Sequence, residues 1–284
     1  MKIGLALNGG GVRGVAHVGV LKALEENDIK IEVIGGTSSG SLVAGLYALG
    51  FSPYYIYVLF KRYSRAVVEI DGNAITNGMG GFLKNKKLTI NGLRTGESIE
   101  NAYNQIALKK GVKTITDIKM PLIIPAVDIK NGKEYLFTSL KNVNDEKYIN
   151  DSTLGMSVRA SSAFPVIYSP CEYKDHYFLD GGVLNGIPTN EVREIGADKV
   201  ISVVFESNPI DEESNMMDIA VRCLDIMVNR ISKNNLDASD YTLEINTDGT
   251  GLLDIEKIDL CYKLGYMQTI KKMEEIKKAV LDNS

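Results

Sequence analysis

Gly36-Thr37-Ser38-Ser39-Gly40 sets a serine between two glycines, where the apolar run IEVIGG (31–36) gives way to SLVAGLYALG (41–50). A serine at such a strand-to-helix turn fits a nucleophile elbow, whose tight backbone thrusts the hydroxyl outward. The plain alternative is a serine that caps an ordinary helix. A serine nucleophile needs a group to take its proton, and the sequence holds only two histidines, His17 and His176. Only His176 follows Ser38, so it alone suits the order Ser, acid, His of an α/β-hydrolase triad. A surface histidine at a strand edge is the plainer reading of it. Asp180 is the better candidate for the base. It closes the apolar run YFL ahead of Gly181-Gly182, which predicts a strand end beside an open turn, although an aspartate that merely starts a turn has the same signature. With a usual pKa of about 3.9 an exposed aspartate is a poor base for a hydroxyl, and desolvation is what would strengthen it.

A second glycine cluster, GGGVRG (9–14), follows the first apolar run directly. Gly9, Gly11 and Gly14 satisfy G-x-G-x-x-G, the dinucleotide fingerprint. That reading also needs a carboxylate ending the next strand. Glu32 begins that strand instead, and the strand ends in glycines, so the nucleotide reading lacks its second half. The same backbone physics serves another anion. Glycines let main-chain N–H groups converge at a helix N-terminus, and in acyl transfer the anion is the oxyanion of a tetrahedral intermediate. Consecutive parallel strands would bring Gly10, Gly11 and Val12 near Ser38. A tight strand–helix turn with no ligand remains the structural alternative.

Taken in order, GGGVRG, GTSSG and DGG resemble the motifs of the patatin-like phospholipase family. The resemblance extends to GVAHVGVLKALEE (14–26) and SVRASSAFP (157–165), and covers residues 2 to about 206. It implies a three-layer α/β/α sandwich around a mainly parallel sheet and a Ser-Asp dyad without histidine. Ser38 would be the nucleophile, Asp180 the base, and Gly10, Gly11, Val12 and Arg13 the oxyanion hole, with no metal or organic cofactor. Arg13 holds the basic position of the loop, either touching charge or ordering the turn. DGG stands where many plant members have DGA, a change that spares the carboxylate. The implied activity is hydrolysis of lipid carboxylic esters. A non-catalytic lipid-binding or regulatory protein on the same fold is the competing reading.

The elements that must carry these residues follow from periodicity. KIGLALN (2–8) and IEVIGG (31–36) read as short buried strands, with helices predicted over 14–29 and 41–50. Strand, helix, strand, helix argues for parallel strands covered by helices. Strands are expected again in 120–129, 134–139, 177–182 and 241–245, and Asn131-Gly132 marks a hairpin. PTNEVREIGADKVISVVFE (188–206) repeats the helix-then-strand rhythm, and helices are expected over 215–236 and about 262–281. No repeat or linker divides the chain, which predicts one domain over 1–284 with a motif-bearing core (2–206) and an extension (207–284). In 51–95, Tyr54, Tyr55, Tyr57, Phe60 and Phe82 with Lys84, Lys86 and Lys87 fit an amphiphilic lid. A core-packed helix followed by a loop over 76–87 is the favoured alternative.

Composition narrows the function classes. The 284 residues are 44% hydrophobic and 24% charged, enough for a sizeable core. A formal charge of −4 gives no footprint for nucleic acid. Cys171, Cys223 and Cys261 cannot all pair, which points to a reducing, cytoplasmic setting. No apolar stretch reaches bilayer length, so contact with lipid would be transient and at a membrane surface. Oligomeric state leaves no mark in the sequence.

Overall fold

The computed structural model describes residues 1–68, 94–165, 167–206, 219, 222, 223, 226–228, 230, 231 and 235–282. Phe82, Lys84, Lys86, Lys87, the loop expected over 76–87 and most of 207–234 lie outside them.

Strand β1 (Ile3–Leu7) is followed by a 3-10 turn (Gly11–Gly14) and helix α1 (Val15–Glu25). Then come β2 (Ile31–Gly36), α2 (Ser39–Ala48) and α3 (Pro53–Val68), the βαβα opening expected from periodicity. The middle holds α4 (Glu97–Lys109), β3 (Leu122–Asp128), β4 (Lys133–Thr138), β5 (Tyr148–Ile149) and α5 (Leu154–Ser161). There follow β6 (Cys171–Tyr173), β7 (His176–Asp180), α6 (Thr189–Glu194), β8 (Lys199–Phe205) and β9 (Tyr241–Ile245). Two helices, α7 (Ile258–Lys271) and α8 (Met273–Leu281), end the described chain, where the sequence predicted one helix.

The strands form one nine-stranded sheet in the order β5-β4-β3-β2-β1-β8-β9, with β7 and β6 branching from β3. Pairing is parallel across β1–β2, β1–β8, β2–β3, β8–β9 and β4–β5, and antiparallel across β3–β4, β3–β7 and β6–β7. Side-chain alternation splits the core between the two faces. Leu5, Leu7, Leu122, Ile124, Ile201 and Val203 join the larger core under α1 and α2. Ala6, Val33, Ile123 and Val200 turn to the other face and meet Ile187 and Val192 on and beside α6. The sheet is thus a mostly parallel layer flanked by helices. β9 lies in that sheet beside β8, and Met273 and Ile276 of α8 belong to the larger core.

One departure from a parallel ladder positions the site. β4 occupies one side of β3 from Ile123 to Asp128. On the other side β2 pairs only at Ile34↔Leu122 and Gly35↔Ile123. There the two strands fork, and β7 enters antiparallel with Asp180 opposite Ala126. Ser38 lies three residues beyond Gly35, and Ala126 three beyond Ile123. The end of β7 therefore comes level with the turn after β2.

Candidate active site

The turn after β2 is a sharp elbow. Ser38 has φ 54° and ψ −123°, a left-handed setting that a non-glycine residue holds only when its surroundings enforce it, at a cost of roughly 1–3 kcal/mol. The enforcing contacts come from the backbone and from side-chain hydroxyls and amides. A Cβ on Gly36 would strike the Gly40 carbonyl, and one on Gly40 would strike the Leu7 carbonyl at the end of β1. Thr37 N–H donates to Leu7 O at 3.0 Å, and the Thr37 hydroxyl donates to Asn185 O at 2.9 Å. The Asn185 amide in turn donates to Glu134 Oε1 at 2.8 Å. Ser38 O accepts from Ser41 N–H at 2.9 Å and from the Ser41 hydroxyl at 2.6 Å, which starts α2. Ser38 thus stands half-exposed at the mouth of a helix rather than capping it, and its side chain makes no capping bond.

The glycine loop runs alongside. A Cβ on Gly9 would stand 3.0 Å from Ser38 Cβ and 3.7 Å from its Oγ. Gly11 has φ +58°, and a Cβ there would collide with Leu252 O. The sequence predicts N–H donors from Gly10, Gly11, Val12 and Arg13 of this loop. Val12 N–H donates to Leu252 O at 2.9 Å, and Arg13 N–H to Gly10 O at 3.2 Å. Those two donors are engaged within the fold, whereas Gly10 and Gly11 N–H make no bond among the described residues. Arg13 is buried, donates from Nε to Gly10 O at 3.1 Å and lies 5.6 Å over the Phe205 ring. It orders the turn and does not line the cavity beside it.

Asp180 reaches the same cavity from β7. Its side chain is buried at 2% exposure. Oδ1 accepts from Gly182 N–H at 2.8 Å, while Oδ2 has no hydrogen-bond partner among the described residues. Burial pushes the carboxyl up to about 6, against the smaller lowering pull of the Ser38 hydroxyl and the Gly182 N–H. The Ser38 hydroxyl is therefore a neighbour that acts on the carboxylate without closing a bond to Oδ2. Loose geometry of this kind is normal in a free enzyme site and tightens with substrate.

A cavity of about 190 Å³ joins these groups. Ser38, Asp180 and Gly9 to Val12 lie on its wall, and Leu42, Leu46, Leu59, Phe60, Ile99 and Ile258 make the rest overwhelmingly apolar. Neither histidine lines it. His17 is buried, its Nε2–H donating to Asn8 O at 2.9 Å, and stacks on Phe205 at 4.6 Å between centroids. Burial lowers it to about 4. His176 pairs Nδ1 with Asp128 Oδ2 at 2.9 Å and packs on Tyr135 and Phe178. Glu32 sits near the start of β2, away from the loop at its end. Among the described residues no group of three His, Cys, Asp or Glu could hold a metal ion, and no helix is long and apolar enough to cross a membrane. Tyr54 and Tyr55 on α3 are exposed.

Three further groups at the site have no individual mark in the sequence. Ser161 Oγ accepts the Ser38 N–H at 3.0 Å, Ala163 O accepts the Asp180 N–H at 3.0 Å, and Leu252 O closes the glycine loop. The first two lie in SVRASSAFP, so the motif itself was the signal. Leu252 carried none.

A glycine loop, a strained serine elbow and a buried carboxylate thus meet at the end of a forked, mostly parallel sheet in an α/β fold. The family model of patatin-like phospholipases matches residues 5–193, and the chain belongs to that family. Lysophospholipase NTE1 of Candida albicans is 27% identical over 93% of the chain, which spans 19% of that relative. A probable lipid hydrolase, 463L, of Invertebrate iridescent virus 6 is 29% identical over 65% of the chain and 61% of its own length. The chain spans about a fifth of the length of the curated relatives of the first kind. Among solved structures, VipD of Legionella pneumophila aligns over 96% of this chain and 67% of its own at TM-score 0.54 and 14% identity. Human GIVD cytosolic phospholipase A2 aligns over 99% of this chain and 59% of its own at TM-score 0.50 and 9% identity. These likenesses concern the fold.

Proposed function

We propose that this chain is a serine acyl hydrolase that cleaves carboxylic esters of lipids, with Ser38 as nucleophile and Asp180 as its base. The observation that carries the reading is the fully buried Asp180 carboxylate, pushed up to about 6, on the wall of an apolar cavity it shares with Ser38. Near neutral pH such a group is ionised yet holds a proton far better than an exposed aspartate, the compromise a general base requires.

In the first half-reaction Ser38 Oγ attacks the acyl carbonyl while its proton passes to Asp180. The carbonyl oxygen takes up negative charge, and the Gly10 and Gly11 N–H groups donate to it. The intermediate collapses to an acyl-serine as Asp180 returns the proton to the departing alkoxide. Water then attacks the acyl carbonyl, giving its proton to Asp180, and Ser38 leaves as the hydroxyl, taking that proton back. Atoms and protons balance within these residues and water. The apolar walls suit an acyl chain, each buried methylene contributing about 0.8 kcal/mol.

The lipid reading is supported by relatives named lysophospholipase and lipid hydrolase. Three free cysteines, two of them buried, suit the reducing cytoplasm. Leu253, exposed and on the cavity wall, suits transient contact with a lipid surface. The test is a panel of lysophospholipid, phospholipid, glyceride and thioester substrates with Ser38→Ala as control. Ester cleavage and fluorophosphonate labelling should both vanish in the variant. Lipid binding with neither reactivity in the wild type would make the chain a non-catalytic binder.

A further inference from the structure

The segment SVRASSAFP has no part in the chemistry above, yet it touches both residues that do. Ser38 N–H belongs to the group of helix-start donors that have no partner inside the helix. It is satisfied by the Ser161 hydroxyl at 3.0 Å, on the last residue of α5. On the other side β6 pairs with β7 only as far as Phe178. The next such N–H, that of Asp180, goes to Ala163 O at 3.0 Å instead. Ser161 is 0% and Ala163 2% exposed, so water cannot replace either acceptor.

The three-residue stretch is itself braced. Thr153 caps α5 by accepting from Met156 N–H at 3.2 Å. The Ser162 hydroxyl donates back to Val158 O at 2.7 Å, and Arg159 is paired with Glu100 of α4 at 2.7 Å. The elbow after β2 and the end of β7 do not pair with each other; β2 and β7 meet only through their shared neighbour β3. Beyond that strand, the end of α5 bonds to both.

We propose that Ser161 is a positioning residue: its hydroxyl fixes Ser38 to the same stretch whose Ala163 carbonyl fixes Asp180, and so holds the nucleophile at working distance from its base. This rests on the Ser38–Asp180 reading. The residue touches no substrate atom and acts through the Ser38 backbone.

The experiment compares wild type, Ser161→Ala, Ser161→Cys and Ser161→Thr by ester hydrolysis, fluorophosphonate labelling of Ser38 and thermal melting, with Ser38→Ala and Asp180→Asn in the same assays. Loosening a reacting pair by about 1 Å costs on the order of 10²-fold, so Ser161→Ala should lose roughly 10–100-fold in kcat and in labelling rate. KM should change little. The acid limb of its pH profile should move to higher pH, because Ser38 no longer pulls the Asp180 carboxyl down. Ser161→Thr keeps the hydroxyl and should recover most activity. Ser161→Cys, a weaker acceptor of similar size, should fall between and serves if the alanine variant does not fold. A lower Tm with wild-type kcat and an unmoved pH profile in the Ala or Cys variant would overturn the positioning role. If Ser38→Ala or Asp180→Asn keeps wild-type rates, the dyad itself fails. If both are inactive while Ser161→Ala keeps wild-type rates, only the positioning role fails.

Discussion

Ser38 and Asp180 share one cavity wall although their strands never pair: Ser38 follows β2, and Asp180 closes β7, which pairs with β3 and β6. The fork between β2 and β3 makes room for this, and the register brings both residues level with Ala126. That shared wall depends on a break in the parallel ladder.

Burial of the Asp180 carboxylate trades stability for basicity. The folded carboxyl titrates at about 6 against a usual 3.8, so between those values the folded state binds more protons than the unfolded chain. Its contribution to stability is greatest below pH 4 and is lost as pH rises through 6. Asp180→Asn removes that penalty and keeps an acceptor for Gly182 N–H. At pH 8 it should be more stable by roughly 3 kcal/mol, a gain that vanishes near pH 4, while hydrolysis is abolished. Melting curves at the two pH values check this.

His17 works in the opposite sense. Burial holds its folded pKa at about 4, below the ordinary 6.5, so the unfolded chain takes up the proton first. The stability His17 contributes is present above pH 6.5 and is lost as pH falls toward 4. His17→Gln should flatten the fall in Tm between pH 6.5 and 4. An unchanged acid slope would show that other groups drive it.

His176 lies outside the cavity, bonded to Asp128. His176→Ala should keep kcat within about twofold, since the ring touches neither Ser38 nor the cavity wall, although losing its contacts to Asp128, Tyr135 and Phe178 should lower Tm. A loss of 10³-fold in kcat would restore a histidine triad.

Gly11 should tolerate no side chain. Its φ is +58°, and a Cβ would meet Leu252 O, displacing the loop proposed to hold the oxyanion. Gly11→Ala should lower kcat about 10²–10³-fold, the scale of a lost oxyanion donor, with KM for a short-chain ester little changed.

Much of this was readable in the sequence where local rules decide. IEVIGG and YTLEI are strands over their whole expected lengths, because short β-branched and apolar segments, alternating in YTLEI, leave little else. The glycines around Ser38 announced an elbow because only close backbone approach requires them. The fork was not readable: nothing in YFLD says that β7 runs antiparallel into a parallel sheet, since that depends on where β2 ends. Nor could spacing reveal that Leu252 engages Val12 N–H, a contact between residues 240 positions apart. The expected set of loop donors was broader than the free ones for that reason.

The most direct measurement is the rate of fluorophosphonate labelling of Ser38 in wild type and Asp180→Asn from pH 5 to 9. With Asp180 as the base, the wild-type rate should fall about tenfold per pH unit below the Asp180 pKa of about 6, and the Asp180→Asn rate should be lower by orders of magnitude at every pH. Labelling of Asp180→Asn at the wild-type rate, with the same pH profile, would contradict it.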